Sequence, residues 1–145
     1  GLGFAGGTLG RDLCALRQLG EARGTTTHMA DAAFDVNRAR GGLVRRQLHD
    51  IYGALAGLTV AVLGLTYKPG TSTMRRSIAL EIMRELTAEG VFVQAFDPLA
   101  VVETDAPPFT RTNSPRAAAT GADAVVLVTE WDGLDAVGIA DGGIG

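Results

Sequence analysis

The chain has 145 residues, 46% of them hydrophobic and 20% charged, with a formal net charge of −3. That length suffices for one modest domain with a real core plus an appendage. The total charge implies no nucleic-acid face, although Arg38, Arg40, Arg45 and Arg46 cluster locally. A single cysteine excludes an intrachain disulfide and fits a reducing, cytoplasmic setting. With no apolar run long enough to span a bilayer and no visible signal peptide, no membrane association is expected.

At the start, Gly1-Leu-Gly-Phe-Ala-Gly6 formally matches the G-x-G-x-x-G dinucleotide fingerprint. That fingerprint needs a strand before it and an acidic ribose partner after it, and neither is present. Its glycines read instead as backbone that approaches a ligand closely, where a Cβ would intrude. The sequence opens inside a motif and without methionine, so an upstream part is expected.

From Arg11 to about Leu19 the leucines recur at helical spacing, and Asp12 sits where a helix dipole favours a carboxylate. Gly20 to Gly24 is expected to break that helix. A long helix is expected over about Thr25 to Gly53, with Met29, Ala33, Val36, Leu43, Val44, Leu48, Ile51 and Tyr52 as one apolar stripe. Gly41-Gly42 weakens it midway, each glycine costing roughly 1 kcal/mol against alanine. His28 and His49 stand apart from other metal-type ligands and read as surface or packing residues, so no metal site is expected.

Beyond Leu58 the order is strand, helix, strand, helix, strand. Strands are expected at Thr59–Leu65, Val91–Phe96 and Ala124–Thr129, with helices at Ser77–Glu89 and Ser114–Thr120 and a loop at Thr104–Asn113. Such alternation predicts an α/β fold, a parallel Rossmann-like sheet with helices on both faces; it is preceded by a helical dimerisation segment, expected because one adjacent domain would struggle to cover the apolar stripe. The first strand, Val60 to Leu65, is an uninterrupted apolar run, as burial on both faces demands. Gly64 turns the chain, Pro69 and Gly70 postpone the next helix, and Ser77 is its N-cap. Between them Lys68 and Arg75 lie beyond the carboxyl end of a strand, where open α/β sheets bind ligands. Two cations, free backbone N–H groups and a helix N-terminus suit a phosphate or pyrophosphate; two solvated loop charges are the competing reading. After Trp131 a short helix at Asp132–Val137 and a glycine-rich tail are expected.

Three segments carry a resemblance. Gly64-Leu-Thr-Tyr-Lys-Pro-Gly-Thr-Ser-Thr-Met-Arg-Arg-Ser77 resembles the Gly-Leu-x-Phe-Lys-Pro-x-Thr-Asp-Asp-x-Arg loop of the UDP-glucose/GDP-mannose dehydrogenase family, with Ser72 and Thr73 in place of its acidic pair. Gly1 to Asp12 is similar to that family's Gly-x-Gly-Phe-Gly-Gly-Ser-Cys-Phe-Pro-Lys-Asp loop. Ala122-Asp-Ala-Val-Val-Leu-Val-Thr-Glu-Trp131 resembles its late strand, and Asp97-Pro98 its Asp-Pro. The resemblance implies residues 1–53 as active-site loop and central dimerisation helix, and residues 54–145 as the C-terminal nucleotide-sugar-binding domain, with the N-terminal NAD domain missing. It implies NAD as cofactor, a nucleotide-sugar substrate, and a homodimer formed through the 25–53 helix. Gly3, Phe4 and Gly6 would line the sugar pocket, Lys68 would contact substrate phosphates or sugar, and Arg75 the cofactor. Asp12 would assist the nucleophile, whose family cysteine is replaced here by Thr8. A threonine hydroxyl is a weak nucleophile without an adjacent base, and Cys14 lies within an apolar helical pattern. A non-catalytic nucleotide-sugar-binding or dimerisation module is therefore the alternative expectation.

Overall fold

A computed structural model describes residues 2–4 and 9–131. Three helices come first: α1 (Leu9–Ala22), α2 (His28–Gly41) and α3 (Leu43–Tyr52). They are followed by β1 (Thr59–Leu63), α4 (Ile78–Ala88), β2 (Phe92–Phe96), β3 (Thr110–Arg111), α5 (Pro115–Ala119) and β4 (Ala124–Leu127). The four strands form one parallel sheet in the order β3-β2-β1-β4.

The alternation along β1 explains why its whole run is apolar. Val60 and Val62 face a core built with Leu80, Met83 and Leu86 of α4 and with Val44 and Leu48 of α3. Ala61 and Leu63 face the opposite side, against Ala118 of α5 and the half-buried Trp131. Both faces are thus covered, the condition under which a parallel strand loses its polar alternation. Each large aliphatic side chain buried this way contributes roughly 1.5–3 kcal/mol.

Helix α4 starts where the sequence places it. Ser77 has extended φ/ψ and its Oγ accepts a hydrogen bond from Leu80 N at 3.2 Å. Three expectations need correcting. The segment 25–53 is two helices, because Gly42 ends α2 and begins α3; two adjacent glycines give the chain too little reason to stay helical there. Helix α1 runs through Gly20 instead of stopping before it. Gly20 is buried so tightly that a Cβ would lie 2.4 Å from the Thr27 methyl, so it serves packing, not helix termination. The loop expected at 104–113 contains the edge strand β3, two exposed residues long, which pairs Thr110 with Gln94 and Arg111 with Ala95. The expected helix at Asp132–Val137 and the glycine-rich tail lie outside the described residues.

Side chains also tie α3 to α4. Arg45 reaches Glu89 at 3.1 Å and Glu85 at 3.7 Å, and His49 Nε2 stands 2.6 Å from the Glu89 carboxylate. The other ring nitrogen, Nδ1, stands 2.6 Å from the Gly53 carbonyl. Both nitrogens face acceptors, so this geometry wants the imidazolium. The Gly53 carbonyl raises the His49 pKa, partial burial opposes it, and Glu89 adds to the rise. Glu89 is held below its ordinary value, first by the Arg45 hydrogen bond. His49 is thus a cross-link between helices, a role its sequence neighbours do not disclose. Among the described residues no helix is long and apolar enough to cross a membrane.

Candidate functional site

The carboxyl ends of β1 and β4 meet where the strand order reverses. Gly64, at φ 82°, follows β1 directly. A Cβ there would stand 2.5 Å from the Thr129 carbonyl oxygen and 2.6 Å from its amide nitrogen, so only glycine lets the two chains approach. Thr129 Oγ1 donates to the Thr66 carbonyl across the same junction.

From this junction the segment 64–77 leaves the sheet as an ordered loop. The Lys68 carbonyl accepts from two hydroxyls, Thr66 Oγ1 at 3.2 Å and Thr71 Oγ1 at 2.9 Å. Met74 is fully buried, Val101 N donates to the Ser72 carbonyl at 2.8 Å, and Thr73 bridges to Val101. Anchored backbone therefore carries exposed cations. Lys68 Nζ sits 5.6 Å from the Tyr67 ring centroid, a cation–π contact worth about 0.5–1 kcal/mol at an exposed site. Arg75 is exposed, and its amide is held by Thr73 Oγ1 at 3.2 Å. Arg76 has φ 58°, the only positive value on a non-glycine among the described residues. Backbone in that region is costly for a residue with a Cβ and collects at binding sites.

Asp97, at the end of β2, holds the root of the loop. It is almost fully buried. Its Oδ2 accepts from Leu65 N at 2.7 Å, Thr66 N at 3.1 Å, Thr66 Oγ1 at 3.2 Å and Trp131 Nε1 at 3.1 Å. Its Oδ1 accepts from Leu99 N at 2.9 Å and Ala100 N at 2.8 Å. Burial pushes this carboxyl up, but the backbone donors of Leu99, Leu65, Thr66 and Ala100 outweigh it and hold the pKa below the ordinary carboxylate value.

A second group of predicted residues gathers on the helical side. Phe4 N donates to Asn37 Oδ1 at 2.7 Å, and Asn37 Nδ2 donates back to the Phe4 carbonyl at 3.2 Å. Gly3, at φ 107°, has no room for a Cβ, which would lie 2.5 Å from Asn37 Oδ1. This two-point clamp fixes the Leu2–Phe4 segment along α2. Beside it opens a cleft of about 350 Å³ lined by Phe4, Arg11, Phe34, Asn37 and Arg76, among others. Of the described residues lining this cleft, the loop contributes Arg76, and neither Lys68 nor Arg75. Asp12 sits in the first turn of α1 and pairs with Arg11 at 3.3 Å, both side chains open to solvent. Thr8 and Gly6 lie outside the described residues. Cys14 is half-buried. Asn37 and Asp97 are the two contributors that site reasoning from sequence passes over: each acts on backbone more than 30 residues away, which local spacing cannot reveal.

Residues 61–142 match the UDP binding domain of the UDP-glucose/GDP-mannose dehydrogenase family. The chain is 35% identical over 140 residues to a UDP-glucose 6-dehydrogenase of Pseudomonas aeruginosa, covering 90% of this chain and 31% of that protein. It is 31% identical over 134 residues to the UDP-glucose 6-dehydrogenase TuaD of Bacillus subtilis, covering 90% of this chain and 29% of that protein. A solved UDP-glucose dehydrogenase from the archaeon Pyrobaculum islandicum superposes with a TM-score of 0.84 at 31% identity, over 91% of this chain and 31% of that one. The chain thus spans about a third of the length of these relatives.

Proposed function

The chain belongs to the UDP-glucose/GDP-mannose dehydrogenase family, and from that premise we propose that it is the nucleotide-sugar-binding part of a longer NAD-dependent dehydrogenase. The reaction is oxidation of the C6 alcohol of a nucleotide sugar such as UDP-glucose. Residues 54–145 form the nucleotide-sugar-binding domain and residues 1–53 the active-site loop and dimerisation helices. The observation that carries this reading is the loop 64–77: anchored backbone, exposed Lys68 and Arg75, and a capped helix behind them.

Lys68 meets the diphosphate or sugar, where a fixed cation stabilises anionic oxygens. Arg75 contacts the cofactor. The Gly3, Phe4 and Gly6 backbone lines the sugar pocket, with Asn37 holding Phe4 in place. NAD, when bound, supplies the hydride acceptor. Asp12 assists whatever nucleophile adjoins it, and Thr8 stands where the family carries cysteine. A hydroxyl is far harder to ionise than a thiol, and this favours a second reading, a non-catalytic nucleotide-sugar-binding or dimerisation module.

Calorimetric titration of the full-length protein with UDP-glucose tests the binding claim. Lys68→Ala should weaken affinity by roughly 1.5–3 kcal/mol, the usual worth of a hydrogen bond to a charged group; unchanged affinity returns Lys68 to a solvated loop charge. Counting NADH formed per sugar consumed separates the two readings: two supports the complete oxidation, and none supports the binding module.

The assembly proposed with this function is a homodimer through residues 25–53. Met29, Val36 and Ile51 stay largely exposed at 89%, 58% and 71%, and a second copy would cover them. Sedimentation should show a dimer at micromolar concentration that Val36→Asp dissociates; a monomer throughout refutes the interface.

A further inference from the structure

We propose that Asp97 is a positioning residue for the nucleotide sugar: through the amides of Leu65 and Thr66 it sets where Lys68 stands. This rests on reading the 64–77 loop as the binding element, and it adds a residue that does not itself face the ligand.

The bland role for an aspartate before proline is to close a local turn. Oδ1 does that here, accepting from Leu99 N and Ala100 N two and three residues on. An asparagine could do the same with its one carbonyl oxygen. The second oxygen is what the turn does not explain. Oδ2 accepts four hydrogen bonds from two other segments, three of them from Leu65 and Thr66 and the fourth from Trp131. An amide would place an NH2 group against those four donors, leaving them facing another donor in a buried site. Turn and loop together therefore require a carboxylate, because a single amide oxygen serves one set of donors and leaves its NH2 against the other.

The path from Asp97 to Lys68 is short, a hydrogen bond to Leu65 or Thr66 followed by two or three residues of chain. Leu65 and Thr66 lie three and two residues before Lys68, and both amides end on Oδ2. The Thr66 hydroxyl lies within hydrogen-bond distance of two acceptors, Asp97 Oδ2 and the Lys68 carbonyl, each at 3.2 Å. The loop thus leaves the sheet from a fixed root, and the Lys68 backbone is referred to that root by one side chain. Preorganisation of this kind contributes to affinity by lowering the ordering cost of binding.

A double-mutant cycle in the full-length protein tests the proposal, with UDP-glucose as titrant. Asp97→Asn should weaken binding about tenfold where Lys68 is present and less than twofold in the Lys68→Ala background, because interacting residues are non-additive. A general loosening of the fold would lower affinity by the same factor in both backgrounds, and that result overturns the proposal. So does wild-type affinity in Asp97→Asn. If Lys68→Ala itself binds as wild type, the reading of the loop fails and the proposal falls with it. Thr66→Val provides a milder variant should Asp97→Asn not fold. It removes the single hydroxyl proton within reach of both Oδ2 and the Lys68 carbonyl, and should weaken binding about threefold, again only with Lys68 present. Wild-type affinity in Thr66→Val, or an equal loss in both backgrounds, overturns the proposal.

Discussion

The two halves of the molecule treat the same kind of residue in opposite ways. Met83, on α4 under the sheet, is wholly buried, while Met29, on α2, is 89% exposed. Around Met83 the strands and α4 close a core in which most large aliphatics lose nearly all contact with water. Along α1, α2 and α3 the apolar stripe contributes only Ala30, Val44 and Leu48 to the buried set, and leaves Leu16, Leu19, Val36 and Ile51 at the surface. A helix stripe is a demand for a partner, and the sheet half meets that demand within the chain while the helical half does not. Apolar pattern alone therefore reports what must be covered, not what covers it.

The widest test of this contrast substitutes both methionines. Met83→Ala should destabilise the chain by about 2–5 kcal/mol through a cavity in the core. Met29→Ala should change stability by no more than about 0.5 kcal/mol. Urea denaturation at a concentration low enough to keep the chain monomeric makes the comparison. Equal shifts would mean that the helical half is packed as tightly as the sheet half.

A smaller effect is expected at the seam between β1 and β4. Gly64→Ala places a methyl against the Thr129 backbone at a positive φ, and should cost about 2–3 kcal/mol from strain and crowding together. Gly10→Ala, in α1 with nothing within 4 Å of the new Cβ, is the control on the helical side and should stabilise slightly, since alanine favours a helix. A stable Gly64→Ala protein with unchanged urea midpoint would show that the seam can open.

The smallest effect concerns the tie between the halves. The folded-state pKa of His49 is raised above its ordinary 6.5, so its contribution is complete below that pH and is lost as pH rises through the folded value. Glu89 is lowered from 4.5, so its contribution is complete above that pH and is lost as pH falls through its own folded value. The tie is therefore strongest between about pH 4.5 and 6.5 and fades on the alkaline side. Both side chains are partly open to solvent, and the slope should be shallow. Urea midpoints of wild type and His49→Gln should differ at pH 6 and converge at pH 9. A constant difference would remove His49 protonation from the account.

What the sequence disclosed follows the same division. Helix α4 was legible to within a residue, because Ser77 caps it and its apolar face repeats at helical spacing. The strands β1, β2 and β4 were legible from short apolar and β-branched runs, interrupted in β2 by Gln94, though β1 and β4 end two residues earlier than expected. Strand β3 was not, since Thr110 and Arg111 are both exposed and carry no pattern. On the helical side the stripe was visible but the interruption at Gly42 was judged too weak to divide it. Lys68 and Arg75 were marked from their place beyond a strand, and both stand exposed on the loop there. Arg76, which lines the cleft, was not marked, because nothing local announces a left-handed arginine. Asn37 and Asp97 could not be placed by spacing, since the backbone groups they hold come from distant parts of the chain.

Trp131 gives the root of the loop an optical signature. It is the only tryptophan in the chain, and its indole N–H is bonded to the Asp97 carboxylate beside the amides of Leu65 and Thr66. Indole emission responds to the charge and solvent around the ring. A fluorimeter set to excite tryptophan in this polypeptide therefore observes one place, the junction from which the Lys68 loop departs, with no dye and no engineered label.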